Sequence, residues 1–553
     1  MNMKKYCLFF AFIFSLSIWG CSDSFIESES MTQKSSDNYY KTQEHAWETL
    51  VGCYNRLSAG GYGNLFQAVN VSSDETFGGG GKNDDFGSQI WDHFEIYSSD
   101  LERNTYSWGG SNGGRYFITI RRCAVLIEIL DDIDWGSNTA LRIRYEAEAR
   151  FIRAHFAFEL ASVYGSFPLN KTSNEKNLGQ TDPHEIYRFI VEDLQYAINN
   201  LPNQTFSQAP QSEFGRATKW AAMALLARVY LFYTGYFADS RVAAYFGNVQ
   251  DIGISKAEVL GYLESVINDS GHGLVPRYGS LWPFSSRLDY HKDPTLTYAG
   301  EYNPEIIWSI RFSTGIRNPN PQYMGLRGVP FAGAYNPFWT GYGMCTINPK
   351  TADQYEEGDE RRFASIIDVK KEFPDPYIQE RLAVDQRDYT GYFQKKFQLL
   401  TSAQDSTRGD PLDQGATSAT ASYQDQPVIR YADVLLMAAE LGSPNALNYV
   451  NQIRDRAFND QNHRVSNVDI DVIYAERSRE FVCEQLRYTD LLRRGLDYTK
   501  KEIDCNYPRE IVQNTMTDNG KVIIFPIETL GLFRIPESQI LVSEDQLIQN
   551  PGW

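Results

Sequence analysis

The chain is poor in the residues that most often carry chemistry. Seven cysteines and seven histidines occur in 553 residues. Past position 21 five cysteines remain, at 53, 123, 345, 483 and 505, with no Cys-x-x-Cys among them. An odd count at wide spacing makes neither a disulfide framework nor a zinc cluster. Cys123 and Cys483 fall in helical patterns and are expected to be small buried hydrophobes, and His155, on a helix with no partner pattern, is expected to be a satisfied core histidine. Positive charge is also scarce: 52 Lys and Arg stand against 70 Asp and Glu, a net charge of -18. That balance excludes a nucleic-acid partner, which would demand a basic surface, and disfavours strongly anionic ligands. Neither Gly-x-Ser-x-Gly nor His-Glu-x-x-His occurs. "FGGGGKN" fails as a phosphate loop, because Thr76 replaces its first glycine and Asn83 its Ser/Thr; a flexible surface loop is expected instead. "DDIDWGSN" has its glycine too early for a calcium loop. With 70 acidic residues, no single carboxylate pair points to glycoside hydrolysis. No catalytic residue, metal or cofactor is therefore expected.

Long apolar runs are equally rare. The first, Tyr6 to Ile18, follows Lys4 and Lys5 and is too short to span a bilayer, so it reads as a secretory signal. No later stretch is apolar enough to cross. Gly20 before Cys21, with Ile18 two positions earlier, resembles the lipobox of bacterial lipoproteins, although Trp19 stands where a small residue is usual. The resemblance implies cleavage after residue 20 and lipidation of Cys21, and acyl chains then hold the rest to a membrane. Residues 21–37 are polar and acidic and suit a tether.

What is present is helical periodicity. In "TDPHEIYRFIVEDLQYAINNLP" Asp182 can cap, Pro183 suits the first turn, Glu185 completes a capping box and Pro202 stops the pattern. "ATKWAAMALLARVYLFYTG" is apolar nearly all round and predicts a central helix ending at Gly235. In residues 145–169 Glu146 and Arg150 can pair at i,i+4 while Ile152, Phe156 and Leu160 pack inward. A helix is expected from Ile473 to Arg494, with Glu476, Glu480 and Glu484 in one stripe. The stripe lacks the Glu-x-x-His spacing of a di-metal site and predicts an ion-pair lattice, with Arg479, Arg487 and Arg493 near enough to help. Helix pairs with short turns recur as in tetratricopeptide solenoids.

Several long blocks are more specific. "AEARFIRAHFAFELASVYGSFPL", "GRATKWAAMALLARVYLF", "VIRYADVLLMAAEL", "IYAERSREFVCEQLRYTDLLRRG" and "LFRIPESQILVSEDQLIQNPGW" resemble hallmark blocks of the SusD/RagB family. "YYKTQEHAWETLVGCYNRL" and "EYNPEIIWSI" are similar to further blocks in the same order. The resemblance implies a mostly α fold, in which tetratricopeptide-like helix pairs frame an irregular, loop-rich ligand-binding lobe. It implies an outer-membrane lipoprotein of Bacteroidetes, exposed at the cell surface, which binds an oligosaccharide and serves as a lid on a SusC-like TonB-dependent transporter. The expected divisions are a signal at 1–20, the tether at 21–37, an N-terminal helical region at 38–270 and a C-terminal region at 271–553. The last comprises an aromatic loop-rich lobe (271–427) and closing helices (428–553).

Sugar binding needs flat aromatic faces and a few polar groups. From Tyr278 to Tyr342, 14 of 65 residues are Phe, Tyr or Trp, set among Gly, Pro and Asn and not at helical spacing. "GSLWPFSSRLDYHKD" and "GAYNPFWTGYG" can hold aromatics at a surface at small entropic cost. Trp282, Tyr290, Tyr335 and Trp339 are the expected platforms, Arg311 a hydrogen-bond donor, and Asp74 and Trp91 an opposite wall; Trp108 is expected to be packing. The alternatives are an oligopeptide ligand on the same scaffold, or a surface polysaccharide hydrolase.

Overall fold

The computed structural model describes residues 40–59, 65–84, 89–94, 108, 115–283, 285, 293, 295–313, 315–327, 341–398, 422–506, 510–512, 515–517 and 522–553. The signal, Cys21 and the tether lie outside them.

Helices that follow one another along the chain pack together. The N-terminal half carries α1 (Gln43–Asn55), α2 (Leu65–Val71), α3 (Arg115–Ile129), α4 (Thr139–Tyr164), α5 (Pro183–Asn200), α6 (Lys219–Tyr236) and α7 (Lys256–Asp269). After short α8 (Asn320–Met324) come α9 (Tyr431–Glu440), α10 (Ala446–Phe458), α11 (Ile470–Glu480) and α12 (Arg487–Arg493). Helix α4 packs on α3 and α5; α6 packs on α5, α7, α9 and α12, so both ends of the chain share one core. Asp182 caps α5 by accepting from the His184 N–H, and Glu185, expected to complete the cap, instead binds Lys171 at 2.7 Å. Thr218 caps α6 by accepting from Ala221. That helix is buried nearly all round, as its composition predicts. Gly235 does not end it: α6 runs on to Tyr236, and a Cβ at 235 would strike the Arg493 carbonyl, so this glycine permits the close approach of α12. No single helix among the described residues is long and apolar enough to cross a membrane.

The strands are few and short. Strands β1 (Thr76–Gly79), β3 (Met344–Ile347), β4 (Ile366–Asp368) and β5 (Tyr392–Gln394) form an antiparallel sheet in the order β1-β3-β5-β4, and β2 (Ile306–Ile310) pairs with β6 (Gln426–Arg430). "FGGGGKN" is thus no flexible surface loop. Its first three residues complete β1, buried beside β3, with the Gly79 N–H donated to Asp388 at 2.9 Å and the Gly78 N–H to Asp92 at 2.7 Å. Gly79 has φ +66 and a Cβ there would strike the Gly343 carbonyl, so the glycines serve close backbone approach.

The expected helix from Ile473 to Arg494 is broken. Helix α11 stops at Glu480, and Phe481–Leu486 form a turn in which Cys483 and Gln485 have φ of 62° and 64°. The glutamate stripe still becomes an ion-pair lattice. Glu480 accepts from Arg430 (2.8 Å), Arg456 (2.5 Å) and Arg361 (3.5 Å). Glu484 pairs with Arg430 and Lys396, and Glu476 with Arg361, Arg454 and Arg479. Of the arginines expected to help only Arg479 does; Arg487 turns to Asp74 and Arg493 to Asp490 and Glu440. Burial opposes the charge of Glu480, but Arg456, Arg430 and Arg361 hold its carboxyl down at about 2. Cys123 and Cys483 are buried, the latter in the turn instead of a helix; His155 is buried edge-on to Trp308, and Trp108 packs edge-on to Tyr164 at 4.6 Å.

Candidate functional site on the loop face

Tyr342, the last residue of the aromatic-rich stretch, is 39% exposed. Its position follows from two glycines. Gly341 lies against Gly325 so closely that a Cβ on Gly341 would come within 2.6 Å of the Gly325 Cα. This lets the Tyr342 N–H donate to the Gln322 carbonyl (2.8 Å) and the Gly343 N–H to that of Gly325 (2.8 Å). The Gln322 side-chain amide donates to the Tyr342 hydroxyl at 2.7 Å, and the Tyr323 ring lies 5.8 Å from that of Tyr342 at 48°. Helix α8, which carries Gln322 and Tyr323, is itself fixed to the core. Asn318 accepts the Asn320 N–H and donates to the Gln424 carbonyl, and Asn320 donates to Gln426.

A charged edge adjoins this pair. Arg327 reaches Asp84 (2.8 Å) and Asp385 (3.1 Å), its guanidinium lies over Gly81 with no room for a Cβ there, and its stem lies against Gly343. Both carboxylates remain about half-exposed, so each keeps lone pairs toward solvent. Two tyrosine rings, an amide and two partly solvated carboxylates are the inventory for stacking on a sugar ring and fixing its hydroxyls.

Those residues expected from sequence that the structure describes fall elsewhere. Trp282 is 1% exposed, under Lys396 (5.0 Å) and edge-on to Phe397, so it is packing beneath the ion-pair lattice and presents no face to solvent. Trp91 is likewise 1% exposed. Asp74 forms no wall of an open site: Arg487 binds it at 2.7 Å and Lys350 at 3.2 Å. Burial opposes its charge, yet Arg487 and then Lys350 hold its carboxyl below the usual range. Arg311 is partly exposed but engaged, 2.8 Å from Asp425 and over the Phe214 ring at 4.8 Å. Phe214, which it covers, lines a separate recess, where Phe206 stacks on Tyr302 at 4.6 Å and Phe214 meets Tyr302 edge-on. Tyr290, Tyr335 and Trp339 lie outside the described residues. Sequence reasoning missed Gln322 and Tyr323; their signal was "NPNPQYMG", an aromatic among turn residues. Among the described residues no group of three or more His, Cys, Asp or Glu could hold a metal ion.

Comparison with known proteins agrees with this architecture. A family model described as "SusD family" matches residues 379–553, and one described as "Starch-binding associating with outer membrane" matches residues 64–231. A SusD-like protein of Formosa agariphila is 27% identical over 400 residues, covering 66% of this chain and 67% of that protein. Another from Bacteroides ovatus is 23% identical over 491 residues, covering 85% and 79%. Among solved structures, surface glycan-binding protein A from Bacteroides thetaiotaomicron in complex with laminarihexaose superposes with a TM-score of 0.69 at 20% identity, covering 92% of this chain and 100% of that one. Family models over two separate stretches of the chain, curated relatives and a shared mostly α fold agree: the chain is similar to the SusD/RagB family over residues 64–231 and 379–553.

Proposed function

We propose that this protein binds oligosaccharides at the cell surface, with the Tyr323–Tyr342 pair as its stacking platform, and that it acts as a binding protein and not as an enzyme. The observation that carries the reading is an exposed tyrosine, Tyr342, held by its own backbone and by the Gln322 amide, with the half-buried Tyr323 ring beside it and partly solvated carboxylates nearby. A ring already fixed in place loses little freedom when a pyranose stacks on it. A solved relative that binds laminarihexaose supports the ligand class. A single shallow platform binds weakly, and many copies along a polymer would raise avidity. In this reading Cys21 carries the lipid that anchors the chain to the outer membrane, and the body hands its glycan to a SusC-like TonB-dependent transporter.

The test is calorimetric titration of the purified protein with β-glucan and α-glucan oligosaccharides and with oligopeptides, alongside Tyr342→Ala. Saturable heat from one glycan class, weakened about tenfold or more by Tyr342→Ala, supports the reading; a loss of about 1.4 kcal/mol corresponds to that factor. Heat from peptides alone would overturn it.

A further inference from the structure

A crevice separate in its lining from the loop-face platform runs between α4, α6 and the Phe481–Leu486 turn. Its main chamber, partly open to solvent, adjoins a smaller one; both are lined by Glu159, Ile310, Gln426 and Gln485. The lining is not that of a packing defect. Tyr116 Oη, His155 Nε2 and Glu159 Oε2 are buried and have no hydrogen-bond partner among the protein atoms. His155 Nε2 lies 3.7 Å from Glu159 Oε2, too far for a hydrogen bond. Gln485 Nε2 reaches the other Glu159 oxygen at 3.4 Å. Gln485 is held in its left-handed conformation by its N–H, which donates to Asn70 Oδ1 at 3.0 Å. A non-glycine residue kept there is a common sign of a site under functional constraint. The crevice is not sealed, since the Glu159 side chain keeps 15% of its exposure.

The other charges nearby are occupied. Arg115 donates to the Arg56 and Leu57 carbonyls, Arg228 to Asp433 and the Val428 carbonyl, and Glu484 pairs with Lys396 and Arg430. What remains is a carboxylate that accepts, a phenol that donates and accepts, and an imidazole nitrogen. Burial keeps His155 below its usual value, with Glu159 opposing this and Arg115 and Arg228 adding to it. The two arginines oppose an ammonium ligand and Glu159 opposes an anion. A hydroxyl group, which both donates and accepts, matches all three unpartnered atoms.

We propose that this crevice is a second binding site, for a small neutral polyol whose hydroxyls bind Tyr116, His155 and Glu159. The smaller chamber is lined by Asn320, at the start of the helix that carries Tyr323, so the two sites share one structural element.

The experiment is calorimetric titration of the full chain with D-glucose, D-galactose and D-mannose at millimolar concentration, with methylammonium chloride as the cationic control. The expected result is saturable heat from a hexose, weakened at least about tenfold by Glu159→Gln and by Tyr116→Phe and unchanged by Tyr342→Ala. Tyr116→Phe removes a hydroxyl with no protein partner, so its melting temperature should not fall, and lost binding in that variant cannot be ascribed to unfolding. No heat from any hexose, heat from methylammonium only, or hexose heat that survives Tyr116→Phe would each overturn the proposal. So would a crystal grown with the hexose that shows only ordered water in the crevice. Oligosaccharide binding lost in Tyr342→Ala reports separately on the loop-face platform.

Discussion

The ion-pair lattice of the closing helices and the loop face use the same side chains to opposite ends. In the lattice, Arg361, Arg430 and Arg456 are almost fully buried, and Glu305, Glu480 and Glu484 are each shared between two or more cations. On the loop face, Arg327 also holds two carboxylates, but Asp84 and Asp385 stay about half in water and the neighbouring tyrosine is exposed. Buried charges must find partners inside the protein, which fixes geometry. Half-solvated charges keep lone pairs for a ligand. The lattice is therefore scaffold and the loop face is the surface with capacity left over.

Substitutions can break that contrast, beginning with the largest effect. Arg430→Met leaves Glu305, Glu480 and Glu484 short of a shared cation; it should cost about 3–5 kcal/mol of stability in chemical denaturation. An unchanged midpoint would show that the lattice is not needed for the fold. Tyr342→Ala should change stability by no more than about 0.5 kcal/mol while reducing glycan affinity about tenfold. A variant that loses both would make Tyr342 core.

Two buried glutamates divide the pH response. Glu480 titrates at about 2 when folded against 4.5 ordinarily, so its contribution is full above pH 4.5 and is lost as pH falls toward 2. Burial, against Arg487, pushes Glu75 up to about 8, and one of its oxygens has no partner. The unfolded chain gives up that proton near pH 4.5 and the folded one near pH 8, so this group lowers stability progressively across that window. Melting temperature measured against pH should fall on both sides, and Glu75→Gln should remove the alkaline fall while leaving the acid one. A fall at high pH that persists in Glu75→Gln would assign it elsewhere.

Smaller changes sharpen the loop face. Gly341→Ala forces the backbone away from Gly325 and should tilt Tyr342, weakening glycan binding with a stability loss of about 1–3 kcal/mol, the scale of overpacking. Asp84→Asn removes charge but keeps an acceptor and should lower affinity only a few-fold; a complete loss would make Asp84 the main contact instead of the rings.

Local rules account for much of the helical frame and little of the site. Asp182, Pro183 and the apolar spacing after them define α5 wherever it packs, because capping and periodicity act within a few residues. The glutamate stripe announced ion pairing by the same logic, since like charges on one face require cations. Which cations was not legible: Arg361, Arg430 and Arg456 come from distant segments, while the nearer Arg487 and Arg493 bind elsewhere. Aromatic enrichment marked the region from Tyr278 to Tyr342 but could not separate Trp282, buried beneath a lysine, from Tyr342, held in water by two glycines. The break after Glu480, which places Gln485 in the crevice, has no glycine or proline to announce it. By itself the sequence determined the course of α5 and α6 and the Asp182 cap, the scarcity of catalytic and metal-binding motifs and a resemblance to one family. Which aromatics and charges face water was decided by tertiary structure alone, because exposure is a property of what packs over a residue, and its neighbours in space are mostly not its neighbours in the chain.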